Sequence, residues 1–221
     1  DDQTIMKLSL LSHEKLAVCR GHYEKNEINF LKSIININKN ILDVGANVGF
    51  YTIALANHIH KNNGNGKIFA YEPGFYNFKS LKTNISLNKF EQYIVINNFG
   101  LSNVNREAEL ILREDYENGS ISGNASIASS EEMDKHFKRE IVKLKKLDEI
   151  FLSNYNFGLV DLIKVDIEGH EDSFFEGSIK FILKHKPFIL FELNKKFYTT
   201  RNIFDFDNLF FKPITSLGYV L

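Results

Sequence analysis

Apolar and polar positions along this chain switch repeatedly between helical and strand spacing. Ile28, Leu31, Ile34 and Ile35 recur at helical intervals over 26–38, and an apolar run at 41–46 follows, which predicts a helix and then a buried strand. The pattern turns helical again over 50–60, until the Asn- and Gly-rich tract 61–66 closes it. Residues 67–72 form a second short strand ended by Pro73-Gly74. A helix over 75–88 carries Phe75, Phe78, Leu81 and Ile85 on one face, and 93–97 is a third strand.

The alternation breaks over 106–147. There, 106–113, with Ala108, Leu110 and Leu112 alternating with charge, and 140–147 predict an inserted β-hairpin region flanking a polar loop, 114–130. It resumes with a strand at 161–168, a helix at 171–184 bearing Phe174, Phe175, Phe181 and Ile182, and a strand at 188–193. A last helical pattern, 204–217, is disturbed by Pro213, and 218–221 reads as the opening of a last strand that is truncated. This order predicts an α/β fold: a doubly wound, mostly parallel sheet with helices on both faces. It forms one domain, 41–221, preceded by an N-terminal helical or lid segment, 1–40.

Composition narrows the partners. The 221 residues carry a net charge of -1, which gives no electrostatic case for nucleic acid as the main partner. No apolar run reaches the ~20 residues of a membrane span. The single cysteine excludes an internal disulfide and suits a reducing compartment, so the expectation is a cytoplasmic protein. The 20 Phe and 9 Tyr are read as core filling.

Sheets of this kind bind ligands at the carboxyl ends of their strands. Polar residues gather there: Asp43 and Asn47 after the first strand, Glu72 at the end of the second, Asn98, Gly100 and Ser102 after the third. Asp166, Glu168 and His170 close the fourth, and Glu192 with Asn194 ends the fifth. The first turn spaces its residues Asp43-x-Gly45-x-x-x-Gly49. Dinucleotide and phosphate loops use other glycine spacings, and an acid in the turn repels phosphate. The expected ligand is therefore a phosphate-free nucleoside bearing positive charge. A carboxylate at Glu72 can accept hydrogen bonds from both ribose hydroxyls, and Asn98, Gly100 and Ser102 fall where an adenine ring should rest.

Ile41 to Ile53, Tyr71-Glu72-Pro73, Gly100-Leu101-Ser102, Lys146-Leu147-Asp148-Glu149 and the block Asp161 to Glu171 resemble, in content and order, the FkbM-type methyltransferases. The resemblance covers roughly residues 40–194. It departs at Gly100, where that family more often shows Ala. The resemblance implies a class I, Rossmann-like fold that binds S-adenosyl-L-methionine and methylates a hydroxyl of a sugar, glycan or natural product. Asp43, Gly45, Asn47 and Gly49 would then form the cofactor loop and Glu72 would hold the ribose.

Methyl transfer to a hydroxyl benefits from a base, and the candidates are Asp166, Glu168, His170 and Glu192. Strand alternation puts Lys164, Asp166 and Glu168 on one face. Asp166 is the first choice, as base or as the group that positions the acceptor. A divalent metal is not expected, because no ligand-dense motif is present, and His58 and His60 are read as solvated at a helix end. The loop 114–130, with Tyr116, and the upstream Tyr23-Glu24 are expected to cover the acceptor, a small molecule or carbohydrate. The competing readings are a methyltransferase for protein or nucleic acid, a non-catalytic adenosine-ligand module, and an NAD-dependent oxidoreductase.

Overall fold

The computed structural model describes residues 4–7, 24–112, 126–127, 137–153, 156–195, 198 and 204–220. Five strands form the main sheet: β1 (Asn40–Val44), β2 (Ile68–Tyr71), β3 (Ile94–Asn97), β7 (Val160–Val165) and β8 (Phe188–Phe191). Their order is β3-β2-β1-β7-β8, and every neighbouring pair is parallel. The chain winds outward from β1 through β2 to β3, then crosses to the other side for β7 and β8. The switch point therefore lies between β1 and β7, where a crevice opens at the carboxyl ends of the strands.

Alternate strand residues feed two cores. Leu42, Val44, Phe69, Tyr71, Ile163 and Val165 pack on one face with Leu147, Phe174, Phe181 and Phe210. Ile41, Ile68, Ala70 and Leu162 pack on the other. That second face is covered by α1 (Lys25–Ile34), α2 (Phe50–Lys61) and α3 (Phe75–Asn88) through Leu31, Ile53, Leu55, Ile59, Leu81 and Ile85. Burial on both sides explains why β1, β2 and β7 are buried along nearly their whole length rather than alternating, with Asp43 and Lys164 as buried charges among apolar neighbours.

The inserted hairpin is present. Strands β5 (Arg106–Leu112) and β6 (Lys138–Lys145) pair antiparallel, from Arg106 opposite Leu144 to Leu112 opposite Lys138. A two-residue strand not foreseen from the sequence, β4 (Gly100–Leu101), runs parallel to β6 and completes a separate three-stranded sheet.

Several boundaries differ from expectation. The helix expected over 171–184 is two, α5 (Glu171–Glu176) and α6 (Ile179–His185), after the short α4 (Leu147–Leu152). The break falls at Gly177, where a Cβ would lie 2.0 Å from the Ser102 carbonyl oxygen. Asp148 caps the restart, accepting the Lys180 and Phe181 N–H groups at 3.0 and 2.9 Å. Pro213 does not break the last helix. It sits at the start of α7 (Lys212–Ser216), just after a π-helical turn at Asp207–Phe211, where its missing N–H costs least. No strand forms at 218–220. The first helix ends at Ile34, not residue 38.

Two asparagines one turn apart on α3 clasp residues 5 and 7. Asn88 accepts the Ile5 N–H at 2.8 Å and donates to the Ile5 carbonyl at 2.7 Å, and Asn84 accepts the Lys7 N–H at 2.7 Å. The ~6 Å helical repeat matches two residues of extended chain. Asn84 also donates to the Val48 carbonyl at 2.7 Å, tying the clasp to the turn after β1. Asn88→Ala should therefore free the Ile5 amide, and hydrogen exchange should show it opening roughly tenfold faster, the loss of about one to two net hydrogen bonds. The Ile53 amide inside α2 should be unchanged.

Candidate active site

The turn after β1 bends through three left-handed residues in five: Gly45 (φ 82°), Asn47 (φ 53°) and Gly49 (φ 101°). At Gly45 a Cβ would lie 1.9 Å from the Asp166 main-chain oxygen. Only glycine lets the ends of β1 and β7 converge there. At Gly49 a Cβ would instead lie 2.8 Å from Leu81 Cδ1. These two glycines clear room for neighbouring protein atoms. The Gly45 and Ala46 N–H groups both donate to the Tyr71 carbonyl at 3.0 Å, which pins the turn to the end of β2.

Glu72 follows directly. It is 6% exposed, yet it lines the cleft. Its Oε2 accepts the Asn47 N–H and its Oε1 the Gly74 N–H, each at 2.9 Å. Burial pushes the carboxyl up to about 7, against the two N–H donors that favour its ionised form. Asp166, Glu168 and His170 line the same cleft, together with apolar residues that include Leu101, Leu110 and Ile127.

The Asp43 side chain is spent inside the protein. It is 1% exposed and does not line the cleft. Thr52 donates its hydroxyl to Asp43 Oδ2 at 2.5 Å, and Lys164 Nζ lies 3.9 Å from Oδ1. Burial raises the Asp43 carboxyl, and Lys164 partly offsets this. Lys164 Nζ also sits 3.1 Å from Asp166 Oδ2 and 4.5 Å from the centre of the Tyr51 ring. Burial works to lower the Lys164 ammonium, but the two carboxylates outweigh it and the group is raised. Asp43, Lys164 and Asp166 thus form one buried ionic knot joining β1 to the cleft.

Strand β7 stops at Val165, so alternation does not carry Glu168 onto the face of Lys164 and Asp166. Glu168 (φ 53°) and Gly169 (φ 91°) turn left-handed instead and bring Glu168 round to the cleft. The buried Glu171 holds that turn, its Oε1 accepting the Ile167 and Gly169 N–H groups at 3.1 and 3.3 Å and its Oε2 the Tyr198 hydroxyl. Burial raises the Glu171 carboxyl. His170 Nε2 is 2.9 Å from Ser102 Oγ, a buried pair at the cleft edge.

The remaining sequence candidates are placed as follows. Gly100 lines the cleft, with Leu144 Cδ2 2.8 Å from where its Cβ would be. Asn98 does not line it: its amide donates to the Glu72 and Pro73 carbonyls at 3.0 Å and steadies that corner. Glu192 is tied to the end of β7 through its N–H, 3.1 Å from the Val165 oxygen. Burial, then the charge of Asp166, raises its carboxyl, and it stands outside the cleft lining. Tyr23 and residues 114–125 fall outside the described residues, while Ser126 and Ile127 close onto the cleft. Sequence reasoning missed Asn77, a buried cleft residue hidden in an aromatic-rich helix start, and the bracing role of Glu171. No group of three His, Cys, Asp or Glu able to hold a metal occurs among the described residues.

A crevice at the topological switch of a parallel sheet, lined by Glu72, Asp166, Glu168 and His170 beside apolar side chains, sits where Rossmann-like α/β folds bind their ligands. The sequence model of the methyltransferase FkbM domain matches residues 43–221, and the chain belongs to that family. No curated protein matches it. Among solved structures it is similar to the FkbM methyltransferase of Methylobacillus flagellatus KT, with TM-score 0.44 at 18% identity. That match covers 80% of this chain but only 42% of the other, so this chain spans less than half of that protein's length. Precorrin-6y C5,15-methyltransferase of Geobacter metallireducens GS-15 is similar over 100% of this chain and 79% of its own, with TM-score 0.50 at 11% identity, a likeness of fold. The tRNALeu complex of aTrm5 matches 34% of this chain and 21% of its own, with TM-score 0.29 at 28% identity.

The ionic knot makes a stability prediction. Lys164→Met leaves the buried Asp43 carboxylate, and the partly exposed Asp166 beside it, without their cation and should cost about 3 kcal/mol in urea unfolding. Adding Asp43→Asn to that variant should recover part of the loss; a double variant as unstable as the sum of the singles would show the groups act independently.

Proposed function

We propose that this protein transfers the methyl group of S-adenosyl-L-methionine to a hydroxyl of a small-molecule or carbohydrate acceptor. The observation that carries this reading is Glu72: a buried carboxylate at the end of β2, already oriented by two backbone N–H groups, with lone pairs left for sugar hydroxyls. The same charge disfavours a phosphorylated ribose. The turn of Gly45, Asn47 and Gly49 shapes the floor beside it, and the apolar wall suits a purine.

When bound, the cofactor supplies an electrophilic methyl on a sulfonium. The protein's own task is to hold an acceptor hydroxyl in line with it and to take its proton. Asp166 is the group we assign to that proton. Lys164 fixes its carboxylate at the cleft, and Glu168 and His170 stand beside it to orient the acceptor. The acidic lining and near-neutral chain favour a neutral, hydroxyl-rich acceptor over nucleic acid.

Calorimetry with S-adenosylhomocysteine tests the cofactor. Wild type should bind, Glu72→Gln should weaken binding tenfold or more, and absence of binding to folded protein at millimolar ligand would end the proposal.

Binding should also depend on pH with a definite sign. Free Glu72 titrates near 7, and hydroxyl donors favour its ionised form, so binding releases a proton. Affinity should fall roughly tenfold from pH 8 to pH 6 and level off above 8. An affinity constant over that range contradicts the assignment of Glu72. With labelled methyl donor and host extract, Asp166→Asn should cut turnover roughly 10²-fold or more while cofactor affinity is largely kept.

A further inference from the structure

Asn77, in the first turn of α3, carries an amide oxygen that has no hydrogen-bond partner among the described residues. The residue is 4% exposed and lines the cleft. A buried acceptor with no protein donor carries a desolvation penalty that a ligand donor would relieve. The groups first expected to read a purine are otherwise engaged. The Asn98 amide is spent on the Glu72 and Pro73 carbonyls, Ser102 Oγ is paired with His170, and Gly100 has no side chain to offer.

We propose that Asn77 reads the base of the bound nucleoside and selects adenine. This rests on the cleft being the S-adenosyl-L-methionine site. The surroundings fit a flat, largely apolar ring: Pro73, Leu101, Leu110 and Ile127 line the cleft with Asn77. The sugar end is fixed separately. A Cβ at Gly74 would lie 3.0 Å from Glu72 Oε1 and 3.2 Å from Leu110 Cδ2, so the apolar wall begins where the carboxylate ends. A nucleoside with its ribose at Glu72 therefore extends its base along that wall, toward the helix turn that carries Asn77. A planar amide presents an acceptor and a donor side by side. Adenine offers the complementary pair, its exocyclic N–H and N7, whereas hypoxanthine replaces the donor with a carbonyl oxygen. A site built to pair a donor rejects the analogue that lacks it, because the buried oxygen is then left facing another acceptor.

The test compares S-adenosylhomocysteine with its deaminated analogue, S-inosylhomocysteine, by calorimetry on wild type, Asn77→Leu and Asn77→Ala. Wild type should prefer the adenine compound on the order of tenfold or more. Both variants should bind the two compounds within about threefold of each other. Without ligand, Asn77→Leu should melt at or above the wild-type temperature, since it removes a buried polar atom with no protein donor from an apolar wall. Discrimination retained in both variants overturns the proposal, as does a clear drop in the melting temperature of ligand-free Asn77→Leu, which would make the amide structural. Binding of neither compound to folded wild type overturns the cofactor reading and the role of Asn77 together. Binding of the adenine compound with retained discrimination overturns the role of Asn77 alone.

Discussion

A buried carboxylate held at the edge of a crevice by two backbone N–H groups is the constraint on which the site depends. Glu72 can be buried there only because Asn47 and Gly74 present their amides to it, and Asn47 does so only because its backbone is left-handed. That conformation belongs to a turn whose first glycine lets the ends of β1 and β7 close to contact. One sharp bend after β1 thus sets the gap between two strands, the direction of an amide and the ionisation of an acid. An exposed glutamate meets hydrogen-bond donors in competition with water. A desolvated one meets them with that competition reduced.

The second organising interaction is ionic. Lys164 lies between Asp43 and Asp166 against the face of Tyr51, so the acid at the cleft is fixed to the acid near the end of β1. A buried knot of this kind adds little net stability, because desolvation offsets most of the attraction, but it allows few alternative arrangements. The ends of β1 and β7 that border the cleft are thereby held in one geometry. Glu171 does the same by neutral means, gathering the N–H groups of a strained turn.

The architecture was legible because its strands are covered on both sides and its glycines are spaced unlike those of phosphate loops. Alternating cores, the parallel order and the inserted hairpin all follow from period and punctuation. What the sequence hid was local. Gly177 breaks a helix because a distant carbonyl, that of Ser102, passes beside it, and no periodicity reports that. Glu168 left the strand face because β7 ends one residue before Asp166. Asp43 and Asn98 were placed correctly at strand ends, yet strand position does not say whether a side chain faces ligand or protein. Theirs are bonded within the fold, while Asn77, with no motif to mark it, faces the cleft.

A crystal structure of the protein with S-adenosylhomocysteine would decide the central claim most directly. The ribose hydroxyls should lie within hydrogen-bonding distance, roughly 2.6–3.2 Å, of the Glu72 carboxylate, with the sulfur on the Asp166 side of the Gly45 turn. Ligand density elsewhere, or a ribose turned away from Glu72, would contradict it.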